Sequence, residues 1–490
     1  MTLPAHLICY RALSTRDARF DGRLFVGVTT TGVYCRPICP ARTPKPDNCR
    51  FYPSAAAAQE AGFRPCLRCR PEVSPDAAAW RGTSNTVSRA LALIAEGGLD
   101  GGEAGVRALA ERLGMGERQL RRLFDQHLGV PPIAVAQTRR VLFAKQLIQE
   151  TSLSMAKIAE ASGFGSVRRF NDALKKLYRR SPRELRVRRR VTLSAVTLRL
   201  GYRPPYDWDA ILSFLAARAI DGTEWVADNR YCRTIAINES IGSVEVAPGR
   251  DCLIATIRFS QVRALLPIVA RLRGLFDLDA DVEAISAHLK SDKGLAPLIA
   301  RRPGLRSPGA WEGFEAAVRA ILGQEVGISA ARRLGGKLVA LAGARVTVDV
   351  TGHEQLTHVF PTPWQLLAAD LSQLGVPPAR LKTLRAIARA AEADKMLLEP
   401  VRTDDDILAR LCALPGFGGS TTQDWALRAL RDSDAFPAAD LALLRSPIVA
   451  NGAPLSTKAL LKRAEAWRPW RAYAAQHLWT ADIDLRSANG

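Results

Sequence analysis

Leu414-Pro415-Gly416-Phe417-Gly418-Gly419-Ser420-Thr421 interrupts a helical pattern and lets it resume at once, which predicts a hairpin between two helices. Its glycines allow backbone N–H groups at the start of the second helix to approach a phosphate closely. Twenty-two residues beyond Gly418 stands Asp440, within Phe436-Pro437-Ala438-Ala439-Asp440-Leu441. Helices extend to either side over 284–490, punctuated by turns such as Arg302-Pro303-Gly304. Further upstream, residues 195–283 mix one amphipathic helix with alternating runs, Arg233–Ile237, Ser243–Val246 and Leu253–Phe259, which read as antiparallel strands. Residues 85–186 are helical in pattern throughout, and residues 1–72 are rich in Cys, Pro, Arg and β-branched residues. Residues 71–84 read as a connector, and Arg186-Val187-Arg188-Arg189-Arg190 as a basic linker. No internal repeat of fixed period is present.

A chain of 490 residues should hold three or four domains at ~100–200 residues each. With 47% hydrophobic and 24% charged residues its whole length can fold, which excludes a disordered chain. No stretch reaches the ~18–20 uninterrupted apolar residues of a spanning helix, and MTLPAHLICYRAL lacks a signal-peptide core, so a cytoplasmic protein without a membrane partner is expected. The net charge of +21, from 69 Lys+Arg against 48 Asp+Glu, favours a polyanionic partner. Residues 1–200 hold 34 basic and 16 acidic residues (+18) and residues 201–490 hold 35 and 32 (+3), so the charge belongs to the front of the chain.

Nine cysteines, an odd number in a long chain, argue for reduced thiols rather than a disulfide scaffold. Four form two close pairs, Cys35-Arg36-Pro37-Ile38-Cys39 and Cys66-Leu67-Arg68-Cys69. Each pair can grip one edge of a tetrahedron, which is what a four-cysteine zinc site requires. Arg and Pro packed around all four argue against buried, unligated thiols. Cys9, Cys49, Cys232, Cys252 and Cys412 lack such spacing and read as ordinary core or surface residues.

Two stretches of 85–186 have the helix, short turn, helix pattern. In the first, Val106, Leu109 and Leu113 share a face, Gly114-Met115-Gly116 turns, and Glu117–His127 presents Arg118, Arg121 and Arg122 outward. In the second, Met155–Ser162 is followed by Gly163-Phe164-Gly165 and a helix Ser166–Leu177 that carries Arg168, Arg169, Lys175 and Lys176. Arginines on the exposed face of a recognition helix can contact guanine edges or phosphates in the major groove.

Three family resemblances rest on these residues. Thr30-Thr31-Gly32-Val33-Tyr34-Cys35-Arg36-Pro37-Ile38-Cys39-Pro40-Ala41-Arg42 with Ala61-Gly62-Phe63-Arg64-Pro65-Cys66-Leu67-Arg68-Cys69 resembles the N-terminal domain of the Ada adaptive-response family. That resemblance implies a single zinc ion, structural and catalytic, held by Cys35, Cys39, Cys66 and Cys69, with Cys35 also accepting a methyl group from a DNA methylphosphotriester. A purely structural zinc site is the plainer alternative. Methylation would change the site's charge from −2 to −1. At about 0.5 kcal/mol per phosphate ~8 Å away, that change could raise DNA affinity roughly tenfold. The helical tandem, through Ile158-Ala159-Glu160-Ala161-Ser162-Gly163-Phe164, Phe170, Leu177, Ser181-Pro182 and Leu185, is similar to the AraC-type DNA-binding domain. The order of these two segments also matches Ada, although no Pro-Cys-His-Arg motif follows, so transfer from the O6 of guanine is not expected.

The hairpin followed by Asp440 resembles the helix-hairpin-helix DNA glycosylases, and other segments point to their AlkA-type 3-methyladenine branch. These are Tyr202-Arg203-Pro204-Pro205-Tyr206-Asp207-Trp208, Phe214–Ala219, Arg302–Leu305, Phe314-Glu315, Val318–Gln324 and Pro469–Trp479. The resemblance implies Asp440 as the catalytic carboxylate and Phe214 and Trp479 as aromatics of the base pocket, with Gly416, Gly418, Thr421 and Gln324 on the DNA and no cofactor. Core aromatics at 214 and 479 and a solvated Asp440 are the plainer readings. An alkylated base is already a cationic leaving group, so an electron-rich pocket can select it without protonating it. Three positions depart from the family: Ser420 in place of an aromatic or a Schiff-base lysine, Asp424 in place of a pocket aromatic, and Glu325 beside the wedge position.

The expected fold class is thus multidomain α+β. A small zinc-bound α/β domain (1–75) precedes an all-α tandem helix-turn-helix domain (85–186), an antiparallel-sheet α+β domain (195–283) and an all-α helix-hairpin-helix glycosylase domain (284–490). The expected partners are double-stranded DNA, damaged and promoter, together with RNA polymerase, for a monomeric protein of the bacterial cytoplasm and nucleoid. An activator of the alkylation response whose glycosylase domain serves mainly DNA binding is the alternative.

Overall fold

The computed structural model describes residues 6–17, 20–71, 85–95, 97–99, 103–186, 195–395, 397–399, 404–446, 448 and 455–488. The connector at 72–84 and the basic linker at 187–190 lie outside the described residues. Two compact units are present, one of Met1–Pro204, Gly249–Ala270 and Leu278–Ala280, the other of Pro205–Pro248, Arg271–Asp277 and Asp281–Gly490. This division is coarser than the four segments expected and runs through 195–283.

The first unit opens with α1 (His6–Ser14), β1 (Phe25–Val28), β2 (Val33–Cys35), β3 (Cys49–Tyr52), α2 (Ala55–Glu60) and β4 (Arg64–Pro65). The strands form one sheet in the order β3-β1-β2-β4. β1 pairs antiparallel with β2 and β3, and β4 pairs parallel with β2, Tyr34 opposite Pro65. That last pairing matters for the chemistry, because it sets the end of β2, where Cys35 stands, beside the end of β4, where Cys66 follows.

Helices α3 (Asn85–Ala95), α4 (Glu103–Arg112), α5 (Glu117–Leu128), α6 (Pro132–Glu150), α7 (Met155–Ala161), α8 (Val167–Tyr178) and α9 (Pro182–Leu185) then follow. The two turns expected from glycine are present. Gly114 and Gly163 sit at φ +68° and +74°, a region that suits a residue without a Cβ. Leu120, Phe124 and Leu128 of α5, and Phe170, Leu174 and Tyr178 of α8, are the buried rows. Ser166, expected as the first residue of its helix, is instead its N-cap, accepting from Arg169 N at 3.2 Å. β5 (Val196–Gly201), not among the runs named from the sequence, pairs antiparallel with the later strand Cys252–Arg258.

In the second unit, α10 (Trp208–Arg218) precedes a meander of β6 (Glu224–Ala227), β7 (Arg230–Ile237) and β8 (Ser240–Gly249). In chain order β9 (Cys252–Arg258) of the first unit and α11 (Leu265–Leu275), which is divided between the two units, come next; then in the second unit follow α12 (Val282–Leu289), α13 (Ala296–Arg301), α14 (Gly313–Leu322), α15 (Ile328–Ala342), α16 (Val348–Thr351), α17 (Pro363–Ala368), α18 (Pro378–Ala393), α19 (Asp404–Cys412), α20 (Gly419–Trp425) and α21 (Leu441–Arg445). The described chain closes with Thr457–Ala464 and Arg471–Ala488. One core gathers Phe314, Val318, Leu338, Leu384, Ile387, Leu411, Phe417 and Trp425 from α14, α15, α18 and the hairpin region. Burying Phe417 and Trp425 here holds α19 and α20 on the bundle and leaves the glycines between them at the surface. Among the described residues no helix is long and apolar enough to cross a membrane.

Candidate functional site

The four sulfurs of Cys35, Cys39, Cys66 and Cys69 lie within 4.8 Å of one another. The pairs meet because Cys66 N donates to Tyr34 O at 2.9 Å, continuing the β2–β4 pairing. Backbone N–H groups point at two of the sulfurs, Arg36 N at Cys69 Sγ (3.3 Å) and Arg68 N at Cys66 Sγ (3.4 Å). Mutual hydrogen bonding drives the thiols apart in acidity, Cys39 and Cys66 downward and Cys35 and Cys69 upward.

Two buried cations, not singled out in the sequence, flank the cluster. Arg36 is clamped by Asp21 and donates to Cys69 O at 3.1 Å, and Lys145 of α6 donates to Cys66 O at 3.2 Å. Both suit a site of net negative charge, and this donor set fits zinc. Cys35 alone of the four is only partly buried.

On the helix-turn-helix pairs, Arg118 and Arg122 of α5 and Arg168 and Arg169 of α8 are exposed. Arg121 is half-buried and bonds Glu117 one turn back, Nη2 to Oε1 at 2.7 Å. That pair has to open before Arg121 can reach a base or phosphate.

The hairpin residues Gly416 and Thr421 and the distant Gln324 lie together. Gly416 has φ +77°, and a Cβ there would lie 2.1 Å from Thr383 Oγ1, so only glycine fits. Gln324 Nε2 donates to Gly416 O and to Thr421 Oγ1, each at 2.9 Å, tying the end of α14 to the hairpin. Gly418 caps α20 without a side-chain bond, and nothing lies within 4 Å of a Cβ placed on Gly418 or Gly419. Glu325 is exposed and held at φ +58°, in the left-handed region.

Asp440 is the N-cap of α21. Its Oδ1 accepts from Leu443 N and from Trp479 Nε1, both at 3.0 Å. Arg428 lies against both Trp479 and Phe214, its guanidinium 5.4 Å from the first ring and 4.6 Å from the second. Arg218, one turn after Phe214 on α10, stacks on the same ring at 3.8 Å. Arg428 is anchored to Pro308 O at 2.8 Å and Gln476 Oε1 at 3.3 Å.

Burial pushes Arg428 down to about 10, and burial together with the Arg428 charge pushes Arg218 down to about 9. Burial raises Asp424, against the pull of the two guanidiniums. The aromatic pair expected to receive a cationic base therefore already carries two cations, opposed by Asp424 and Asp440. Arg218, at i+4 from Phe214, could have been found from helical spacing. Arg428 could not, because it meets residues 214 and 479 only through tertiary packing.

Three family models match the chain: the metal-binding domain of Ada over residues 8–72, a helix-turn-helix domain over 109–188 and the AlkA N-terminal domain over 197–312. A probable bifunctional transcriptional activator/DNA repair enzyme AlkA of Mycobacterium tuberculosis is 43% identical over 480 residues, covering 96% of this chain and 95% of its own. DNA-3-methyladenine glycosylase 2 of Escherichia coli is 35% identical over 288 residues, 57% of this chain and 95% of its own. The solved 3-methyladenine DNA-glycosylase of Archaeoglobus fulgidus superposes with a TM-score of 0.52 at 20% identity, over 58% of this chain and 98% of its own, which establishes a shared fold. The four-cysteine cluster falls in the segment that matches the metal-binding domain of Ada, and the residues present fit zinc. On the extent of these matches, the chain belongs to the family of bifunctional transcriptional activator/DNA repair enzymes AlkA.

Proposed function

We propose that this protein excises alkylated bases of the 3-methyladenine type from DNA, takes methyl groups from DNA methylphosphotriesters onto Cys35, and regulates transcription through its tandem helix-turn-helix segment. The observation that carries the glycosylase reading is the meeting of Asp440 with Trp479, Phe214 and the hairpin helix α20 in one unit. An alkylated base leaves as a neutral molecule, so no side chain has to protonate it. As its bond to C1′ lengthens, positive charge grows on the sugar. The Asp440 carboxylate, fixed through Oδ1, takes no hydrogen bond on Oδ2 among the described residues, and this oxygen is the one to face that charge or to orient the attacking water. Water adds at C1′, gives up one proton to solvent as the C–O bond forms, and leaves an abasic sugar. Ser420 offers no amine for a Schiff base, so the strand is not cut. Gly416, Gly418, Thr421 and Gln324 hold the backbone of the flipped nucleotide's strand.

With zinc bound, the Cys35 sulfur is a thiolate at neutral pH. Its partial exposure, where its three co-ligands are buried, supports Cys35 as the acceptor. A sulfur–carbon bond forms as the methyl carbon–oxygen bond of the phosphotriester breaks, and a phosphodiester anion leaves. One negative charge disappears from the site, which strengthens DNA binding. Arg118, Arg121, Arg122, Arg168 and Arg169 supply contacts to the duplex. RNA polymerase is the partner such a regulator requires, and a monomer in the cytoplasm, on the nucleoid, is the working form.

Two measurements on the full chain test this. With duplex containing 3-methyladenine, free base should be released at substoichiometric protein; absence of release leaves the regulator reading and removes the enzyme. After exposure to methylated DNA, the intact mass should rise by one methyl group, and this gain should vanish in Cys35→Ser.

A further inference from the structure

A second set of metal-ligating side chains converges in the other unit, away from the base pocket. In the β6–β7–β8 meander, Trp225 lies opposite Cys232, and Cys232 opposite Glu245, so the three side chains share one face of adjacent strands. The turn after α16 brings His353 onto that face. Its ring lies 5.7 Å from the Trp225 ring, and its Nε2 is 3.2 Å from Glu245 Oε2. Cys232 Sγ, a Glu245 carboxylate oxygen and a His353 ring nitrogen all lie within 4.8 Å of one another. The turn is pinned, since Ser243, two residues before Glu245 on β8, donates to Thr351 O at 2.6 Å, and the Thr351 hydroxyl donates to His353 O at 2.9 Å.

We propose that Cys232, Glu245 and His353 form a second divalent-metal site, suited to zinc and similar borderline-soft ions, with a fourth position open to water. Zinc bonds of about 2.0–2.3 Å place tetrahedral ligand atoms about 3.3–3.7 Å apart. The 3.2 Å separation of His353 and Glu245 lies just below the short end of that range. One thiolate and one carboxylate balance a dication, and one sulfur with one imidazole disfavours magnesium or calcium, which want oxygen ligands.

The other Glu245 oxygen is taken by Arg230, which turns Oε2 toward the site, as the outer shell of a metal-bound carboxylate commonly does. The Arg230 side chain is half exposed, so water screens its charge. Cys232 is fully buried while Glu245 and His353 are partly open, and an ion enters from their side. Spacing hides this site, because its three ligands come from strands and a turn far apart in the chain.

Zinc per chain decides the matter. Full-length reduced protein, equilibrated with a small excess of zinc and freed of unbound ion, should hold two zinc ions. Cys232→Ser and His353→Ala should each hold one, and Cys39→Ser should retain the ion bound by Cys232. Circular dichroism should show unchanged helix content in the first two variants. Should buried Cys232→Ser not fold, His353→Ala gives the same readout from a partly exposed position. One zinc in the wild type, or two that persist in His353→Ala, would overturn the proposal.

Discussion

Asp440→Asn keeps the shape of the side chain and removes its charge. The two hydrogen bonds to Oδ1, each 3.0 Å, come from Leu443 N and Trp479 Nε1, and an asparagine carbonyl can accept both. The α21 cap therefore survives, and stability should change by less than about 1 kcal/mol. What disappears is the attraction between the carboxylate and the cation developing on the sugar. Two unit charges about 4 Å apart at an effective dielectric of about 20 attract by about 4 kcal/mol. The nearby Arg218 and Arg428 offset part of that, so a loss of about 3–4 kcal/mol, or a slowing of two to nearly three powers of ten, is expected. Release of 3-methyladenine measured with protein in excess over duplex isolates the chemical step from product release, and thermal unfolding of the same preparation checks the fold. A well-folded Asp440→Asn protein that releases base within tenfold of the wild-type rate would refute the role assigned to Asp440. Trp479→Phe, which removes one donor from Oδ1 and leaves the charge, should cost less, roughly tenfold.

Gly416→Ala should lower stability by about 2–3 kcal/mol in denaturant titration, through its left-handed backbone and the collision with Thr383, and Thr383→Ala should restore part of the loss. Arg168→Ala with Arg169→Ala should leave unfolding unchanged and reduce the slope of log affinity against log salt for promoter DNA by about 1–2, since each phosphate contact contributes about 0.9. Burial pushes His477 down to about 4, so between that pH and its ordinary 6.5 the unfolded chain binds the proton and the folded chain does not. Stability from this group is full above pH 6.5 and declines as pH falls toward 4, by about 3 kcal/mol at about 1.4 kcal/mol per pH unit; His477→Gln should flatten that limb in thermal melts from pH 4 to 7.

Local chemistry was legible without coordinates. The spacing of Cys35, Cys39, Cys66 and Cys69, the glycine turns at 114 and 163, and the hairpin at Gly416 and Gly418 obey short-range rules of ligand reach and backbone sterics that act within a few residues. Strands β5 and β6 were not singled out: β6 has only four residues, and the short alternation Val196-Thr197-Leu198-Arg199-Leu200 of β5 stands close behind the run of arginines. The site chemistry that adds to the motifs comes from long-range packing. The parallel β2–β4 pairing joins the two cysteine pairs, Asp21 and α6 deliver the buried cations Arg36 and Lys145, and residues 214, 428 and 479 stack from three elements. Cys232, Glu245 and His353 meet in the same way. A motif records which groups the chemistry needs, because those must be near one another along the chain or at set spacings. Which charges surround them is decided when distant elements close on one core, and that leaves no period or spacing for a linear reading to detect.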